Sequence, residues 1–219
     1  FALALTHFGK ALSIRRRVLA QNSPDIAVTI GNIGHTLHEC GRFDEALRCY
    51  EKFVDVAGDG VSAVDVAYVS FRIAEIHRMR NQLCKAIAAY QRSLALCSND
   101  LKNRRFTLLM LVVADRLGNV LTEQHDLDAA LVYYVGGLKM QHSLLDLYHP
   151  HTLLTLAKIA QIHRLRCSPR TALQVYEQLY DGQAQVYGQN SLQVAHTLSC
   201  MGLMHFQLHN SPTALIHFR

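Results

Sequence analysis

The sequence predicts an all-α fold of stacked helical hairpins, and two recurrences carry the prediction. Ala-Leu or Ala-Ile followed after two residues by an aromatic appears six times: ALTHF from Ala4, ALRCY from Ala46, AIAAY from Ala86, ALVYY from Ala130, ALQVY from Ala172 and ALIHF from Ala214. The alanines are 42, 40, 44, 42 and 42 residues apart, a period that belongs to helical repeats. Twelve residues before each of the last five alanines stands a residue with almost no side chain: Gly34, Ala74, Gly118, Ala160 and Gly202. A large apolar residue precedes each one, Ile33, Ile73, Leu117, Ile159 and Met201. Small residues at two fixed points, with apolar neighbours at helical spacing, describe two helices that cross closely.

This register assigns the elements in order. Residues 1–20 read as the second helix of a truncated repeat, followed by hairpins over 22–62, 63–102, 103–146, 148–188 and 190–219, the last one truncated. Pro24 and Pro150 each lie ten residues before a small position, where a first helix should begin. Pro169 and Pro212 follow Ser168 and Ser211, each able to cap a second helix whose first turn the proline enters. Gly41 separates the two helices of the first full hairpin. The distance from small residue to alanine never changes, so the 40 and 44 steps fall in the connections VAGDGVSAVD and CSNDLKNRRF, both rich in turn or polar residues. Uncapped repeat ends of this kind predict self-association.

Composition narrows the class. Half the residues are hydrophobic, and the longest apolar run, LLMLVVA from Leu108 to Ala114, is far short of the ~20 residues a membrane span needs. The six cysteines (40, 49, 84, 97, 167 and 200) form no CxxC pair and no zinc-module spacing. They are expected to be reduced, mostly packed thiols, which favours a cytoplasmic setting. A net charge of +5 spread along the chain is weak for a nucleic-acid footprint, and a 42-residue period is longer than that of base-reading helical repeats.

The small residue, the later alanine and the second-helix aromatic resemble the tetratricopeptide repeat. The stretches ALSIRRRVLAQNSPDIAVTIGNIG and LLDLYHPHTLLTLAKIA are similar to the 42-residue variety found in kinesin light chains. The resemblance implies a right-handed α-solenoid whose first helices line a concave groove, and it covers the whole chain. The family's Asn-Asn-Leu-Ala run is present only in part, as Gly31-Asn32-Ile33-Gly34. Its glycine between helices survives as Gly41 and is replaced by Asn81, His125, Cys167 and His209.

Thirteen histidines invite a metal site, and the repeat argues against one. AEIHRMR (residues 74–80) and AQIHRLR (160–166) place His77 and His163 at one repeat position, shared by His205. Helices pack ~8–10 Å apart, so equivalent residues of successive repeats are roughly 20 Å apart, while zinc ligands lie ~2 Å from the ion. His205 and His209 have an i, i+4 spacing without the Glu of HExxH, and Cys40 in HTLHEC points well round the helix from His35. Gly136 and Gly137 fall inside a second helix and are expected to be close-packing points. No nucleophile elbow or paired carboxylates appear, so neither enzymatic activity nor a cofactor is expected.

The cations are the better candidates. Two residues before the small position the column reads Asn32, Arg72, Arg116, Lys158 and Cys200; four after it, His38, Arg78, Thr122, Arg164 and Phe206. With the groove placement the resemblance implies, Asn32, Arg72, Arg78, Arg116, Asn119, Lys158, Gln161 and Arg164 make up the candidate peptide-binding set. The expected ligand is an acidic, apolar-interleaved protein segment, and the expected role that of adaptor or scaffold. An extended peptide advances ~3.3 Å per residue, so about six residues would join the cations of neighbouring repeats. The same charges also read as a solvated face with helix ion pairs, since Glu75 follows Arg72 by three and Asp115 and Glu123 flank Arg116. The carboxylate clamp that the resemblance implies for co-chaperones is only partial here, at Gly31, His35, Arg72, Val112 and Arg116. An alternative role is a regulatory or sensor arm of a larger enzyme or signalling protein, without chemistry of its own.

Overall fold

The computed structural model describes residues 1–58, 60–98 and 104–210. They form ten α-helices, with no strand among the described residues. Two compact units divide the chain, one from Phe1 to Val113 and one from Ala114 onward. The first unit holds α1 (Ala2–Val18), the hairpin of α2 (Pro24–Glu39) and α3 (Phe43–Val56), the hairpin of α4 (Ala63–Met79) and α5 (Leu83–Cys97), and the first half of α6 (Arg104–Glu123). The second holds the rest of α6 with α7 (Leu127–Leu144), α8 (Pro150–Leu165), α9 (Pro169–Tyr187) and α10 (Leu192–Gln207). Among these helices none is long and apolar enough to cross a membrane. Pro212, Ala214 and Phe218, on which the last second helix was expected, lie outside the described residues.

Each hairpin closes as its small residues require. Ala46, Ala86, Ala130 and Ala172 are all 0% exposed, and the aromatic of each motif is buried beside its alanine. The small residue of the first helix receives that aromatic: a Cβ on Gly34 would lie 2.8 Å from the Tyr50 ring, and one on Gly118 2.6 Å from the Tyr134 ring. Those distances are well inside van der Waals contact, so the missing side chain sets how near the helices come. Cores then build across neighbouring hairpins. Ile26, Ile30 and Leu37 of α2 join Leu47, Tyr50 and Phe53 of α3 and Val69 and Ile76 of α4. In the second unit Leu153 and Leu156 of α8 meet Tyr176 and Leu179 of α9 and Met201 and Met204 of α10.

The turn inside each hairpin keeps one backbone shape whatever residue stands there. Gly41, Asn81, His125, Cys167 and His209 all have positive φ, between 52° and 74°. In each case the amide of the following residue bonds a carbonyl four residues before the turn residue: Arg42 to Leu37, Gln82 to His77, Asp126 to Leu121, Ser168 to His163 and Asn210 to His205. This is the left-handed helix stop that glycine favours, retained at four positions by residues with side chains.

Two local expectations change. Ser168 stands at the N-cap before Pro169, but its hydroxyl donates back to the carbonyl of Arg166 (3.4 Å) and leaves the first turn of α9 without a side-chain cap. Asp126 and Ser191 do cap, accepting from the amides of Ala129 (3.2 Å) and Val194 (3.4 Å). Of the paired glycines, Gly137 is buried with the Ala114 methyl 3.9 Å from where its Cβ would be, whereas Gly136 is exposed and meets nothing within 4 Å. Gly136 is therefore not a close-packing point.

Candidate functional site

The arginines that end the repeated heptapeptide have a structural task. Arg80 pairs with Asp44, and Arg166 pairs with Asp128 at 2.8 Å; each aspartate stands two residues before the alanine of the preceding hairpin. Both carboxylates are about four-fifths exposed, so these pairs add little stability and instead mark the register of one hairpin on the next. His77, in the same motif, is buried and shares a 2.8 Å hydrogen bond between its Nδ1 and Gln82 Oε1 across the turn. Burial and the neighbouring Arg166 lower the pKa of His163.

In the first unit the candidates separate. Arg72 of α4 lies over the ring of Tyr68, 5.1 Å from its centroid, and donates from Nε to the Tyr68 hydroxyl at 2.8 Å. A second contact runs from its Nη2 to Glu39 of α2, 3.5 Å away. The sequence suggested Glu75 as a partner by spacing; Glu75 instead pairs with Arg78 (3.2 Å) and accepts from the Tyr90 hydroxyl. Arg78 thus sits in a cluster of its own.

Asn32 belongs with Arg72's end of α4. It lines a cleft of about 250 Å³ between α2 and α4, with His35 on its own helix and Asp65 and Tyr68 on the other. Tyr50 and Phe53 of α3 line its inner side, where Gly31 opens the way: a Cβ on Gly31 would come within 3.0 Å of the Phe53 ring. The cleft is therefore apolar inside and polar at its lips. Nearby, burial first and then the positive charge of Arg72 lower the pKa of His38, whose ring meets Phe43 edge-on at 5.3 Å.

In the second unit two candidates, Lys158 and Asn119, join one network with Asp115 and Tyr134. Lys158 of α8 pairs with Asp115 of α6 and lies 5.6 Å from the Tyr134 ring centroid. Asn119 links the two, donating to Asp115 Oδ2 (3.3 Å) and accepting from the Tyr134 hydroxyl (2.8 Å). Burial pushes the Tyr134 phenol up to about 12, so it stays a neutral donor. Arg116 and Gln161 are exposed, on α6 and α8. Arg164 is half-buried, and its Nε is shut off from water.

Sequence reasoning missed Tyr68, Tyr50 and Glu39. Tyr68 could have been found, since it precedes Arg72 by four residues on one helix and so shares its face. Glu39 reaches Arg72 from the preceding hairpin, a pairing no local spacing announces. No group of three or more metal-binding side chains gathers among the described residues.

Residues 1–59 and 25–99 match the tetratricopeptide repeat family. No curated protein matches the chain in sequence. Among solved structures, BtubC (BKLC) from P. vanneervenii is similar over 99% of this chain and 87% of its own, with a TM-score of 0.67 at 12% identity. A Podosopora anserina protein of nearly identical TPR-like repeats, named for kinesin light chain, is similar over 85% of this chain and 88% of its own (TM-score 0.64, 15% identity). YrrB, described as a TPR protein with an unusual peptide-binding site, is similar over 96% of this chain and 88% of its own (TM-score 0.64, 14% identity). At these identities the likeness is one of fold. Residues 1–99 carry the match to the tetratricopeptide repeat family, and the same pairing of small residue and buried tyrosine continues through α9.

Proposed function

We propose that the chain is a protein-interaction module that holds an acidic, apolar-interleaved peptide on the exposed face of its first helices, acting as a cytoplasmic adaptor or scaffold without chemistry of its own. The observation that supports this best is Arg72 at the edge of the α2–α4 cleft. Its guanidinium is oriented by the Tyr68 ring and hydroxyl, and only Nε and Nη2 have partners in these contacts. A guanidinium has five N–H donors in a planar fork, so several stay available for a carboxylate. Preorganisation by the tyrosine lowers the entropy lost when the arginine grips a ligand. The apolar inner side of the cleft accepts a neighbouring side chain.

The second unit fits the same reading with a difference. Lys158 is already paired with Asp115, so a peptide carboxylate there replaces an internal partner and gains less. In this proposal Asn32 and Arg72 carry affinity in the first unit, Arg116, Asn119, Lys158 and Gln161 offer the second unit's own contact, and Arg78 and Arg164 contribute least because they sit within clusters of their own. The likeness in fold to a protein described by its peptide-binding site supports the coarser reading of an interaction module.

Anisotropy titration tests it, using a labelled peptide that alternates Glu and Leu. Binding should weaken steeply as salt rises, and Arg72→Glu should lower affinity at least tenfold, the scale of a lost charge-assisted bond plus a new repulsion. Unchanged affinity in Arg72→Glu would remove the groove assignment.

A further inference from the structure

We infer that the first full hairpin contains a dedicated carboxylate subsite, in which an Asp or Glu of the bound peptide accepts the hydrogen bond of Tyr50 between α2 and α4, with an aliphatic neighbour entering the cleft. This rests on the groove reading above and assigns one of its contacts to one place.

The inference comes from comparing the repeats with one another. Tyr50, Tyr90, Tyr134 and Tyr176 occupy one repeat position and none is more than 4% exposed. Three of their hydroxyls are met from within the protein. Tyr90 donates to Glu75, Tyr134 donates to Asn119 at 2.8 Å, and Tyr176 lies against Cys200 and Arg164. Glu75 and Asn119 hold equivalent places, one residue after the small position of their first helix. In the first hairpin that place is His35, and the Tyr50 hydroxyl is buried with no hydrogen-bond partner among the described residues. Buried donors are almost always satisfied, because a donor removed from water and left unpaired is costly.

What would satisfy it follows from the surroundings. Burial pushes the Tyr50 phenol's pKa up, so it offers a proton and does not become an anion. Tyr50 and His35 line the same cleft, and Arg72 lies over the Tyr68 ring that forms its other lip. A cation beside an unpaired donor favours an anionic acceptor, as Glu75 is for Tyr90. Asp65 also lines the cleft and repels a carboxylate from its own end, directing it toward Arg72. Val28, Val69 and Phe53 leave the remaining space apolar. The chemical class is therefore an acidic side chain next to an aliphatic one.

The test uses the full chain, a labelled capped peptide alternating Glu and Leu, and its twin with Gln for Glu. Tyr50→Phe should weaken the Glu peptide about tenfold and the Gln peptide little, with a thermal midpoint equal to or above that of the parent. Tyr134→Phe, which breaks an internal bond, should lower the midpoint and weaken the Glu peptide far less than Tyr50→Phe does. His35→Glu supplies the first hairpin with the internal acceptor the second already has, and should raise the midpoint while weakening the Glu peptide. If Tyr50→Phe and His35→Glu both bind like the parent while Arg72→Glu does not, the subsite is wrong and the groove reading stands. If Tyr134→Phe loses as much affinity as Tyr50→Phe, the subsite is likewise overturned. If the parent itself does not bind the Glu peptide, the groove reading falls and this inference with it.

Discussion

Glycine carries opposite meanings at two positions of this chain. Gly118 faces the Tyr134 ring so closely that a Cβ would lie 2.6 Å from it, while Gly136, ten residues into α7, is exposed and meets nothing. An exposed mid-helix glycine costs roughly 1 kcal/mol relative to alanine, whereas an added methyl in a filled contact forces a shift costing about 1–3 kcal/mol. Gly136→Ala should therefore raise the midpoint of urea unfolding, and Gly118→Ala should lower it. Equal effects from the two substitutions would show that the α6–α7 approach is looser than described. The sequence marked Gly118 by its place in the repeat. It also separates Gly136 from Gly137 by register: six residues after each alanine stand Lys52, Arg92, Gly136 and Gln178, all exposed, and seven after stand Phe53, Ser93, Gly137 and Leu179, all buried.

Between residues and hairpins stand the turns, and there the sequence was most easily misread. Asn81, His125, Cys167 and His209 look like departures from a glycine rule, yet all four keep the left-handed conformation and the hydrogen bond of Gly41. The backbone is imposed by the two packed helices, and the residue tolerates it at a cost of roughly 1–2 kcal/mol, less whatever glycine loses in unfolded-state entropy. Cys167→Gly should thus stabilise the protein by about 0.5–1 kcal/mol in chemical denaturation. A loss of stability would mean that the exposed Cys167 side chain makes a contact of its own. Helix starts were legible from Pro24, Pro150 and Pro169, each at the first turn of its helix, whereas capping was not. Whether Ser168 caps depends on where its hydroxyl turns, and it turns to Arg166.

For the molecule as a whole, the all-α repeat architecture was legible because the spacing from small residue to alanine and the burial of the tyrosines express one packing rule applied again and again. The electrostatics were not, since they depend on how adjacent hairpins register. Glu39 reaches Arg72, Asp44 reaches Arg80, Asp115 reaches Lys158 and Asp128 reaches Arg166, each pair between neighbouring hairpins and each more than thirty residues apart. Of the cations in the predicted column, Arg72 and Lys158 thus enter hairpin-to-hairpin ion pairs, and Arg72 lies stacked on a tyrosine at the edge of an apolar cleft. On the proposed function, this cleft between α2 and α4 is where an acidic peptide lands. Amide and methyl NMR spectra of the labelled chain, recorded while the Glu-Leu peptide is added, test that claim most directly. The expected shifts are concentrated at Asn32, His35, Tyr50, Tyr68 and Arg72, and absent from the Arg15–Arg16–Arg17 run that ends α1. Shifts centred on that arginine run, with the cleft unmoved, would contradict it.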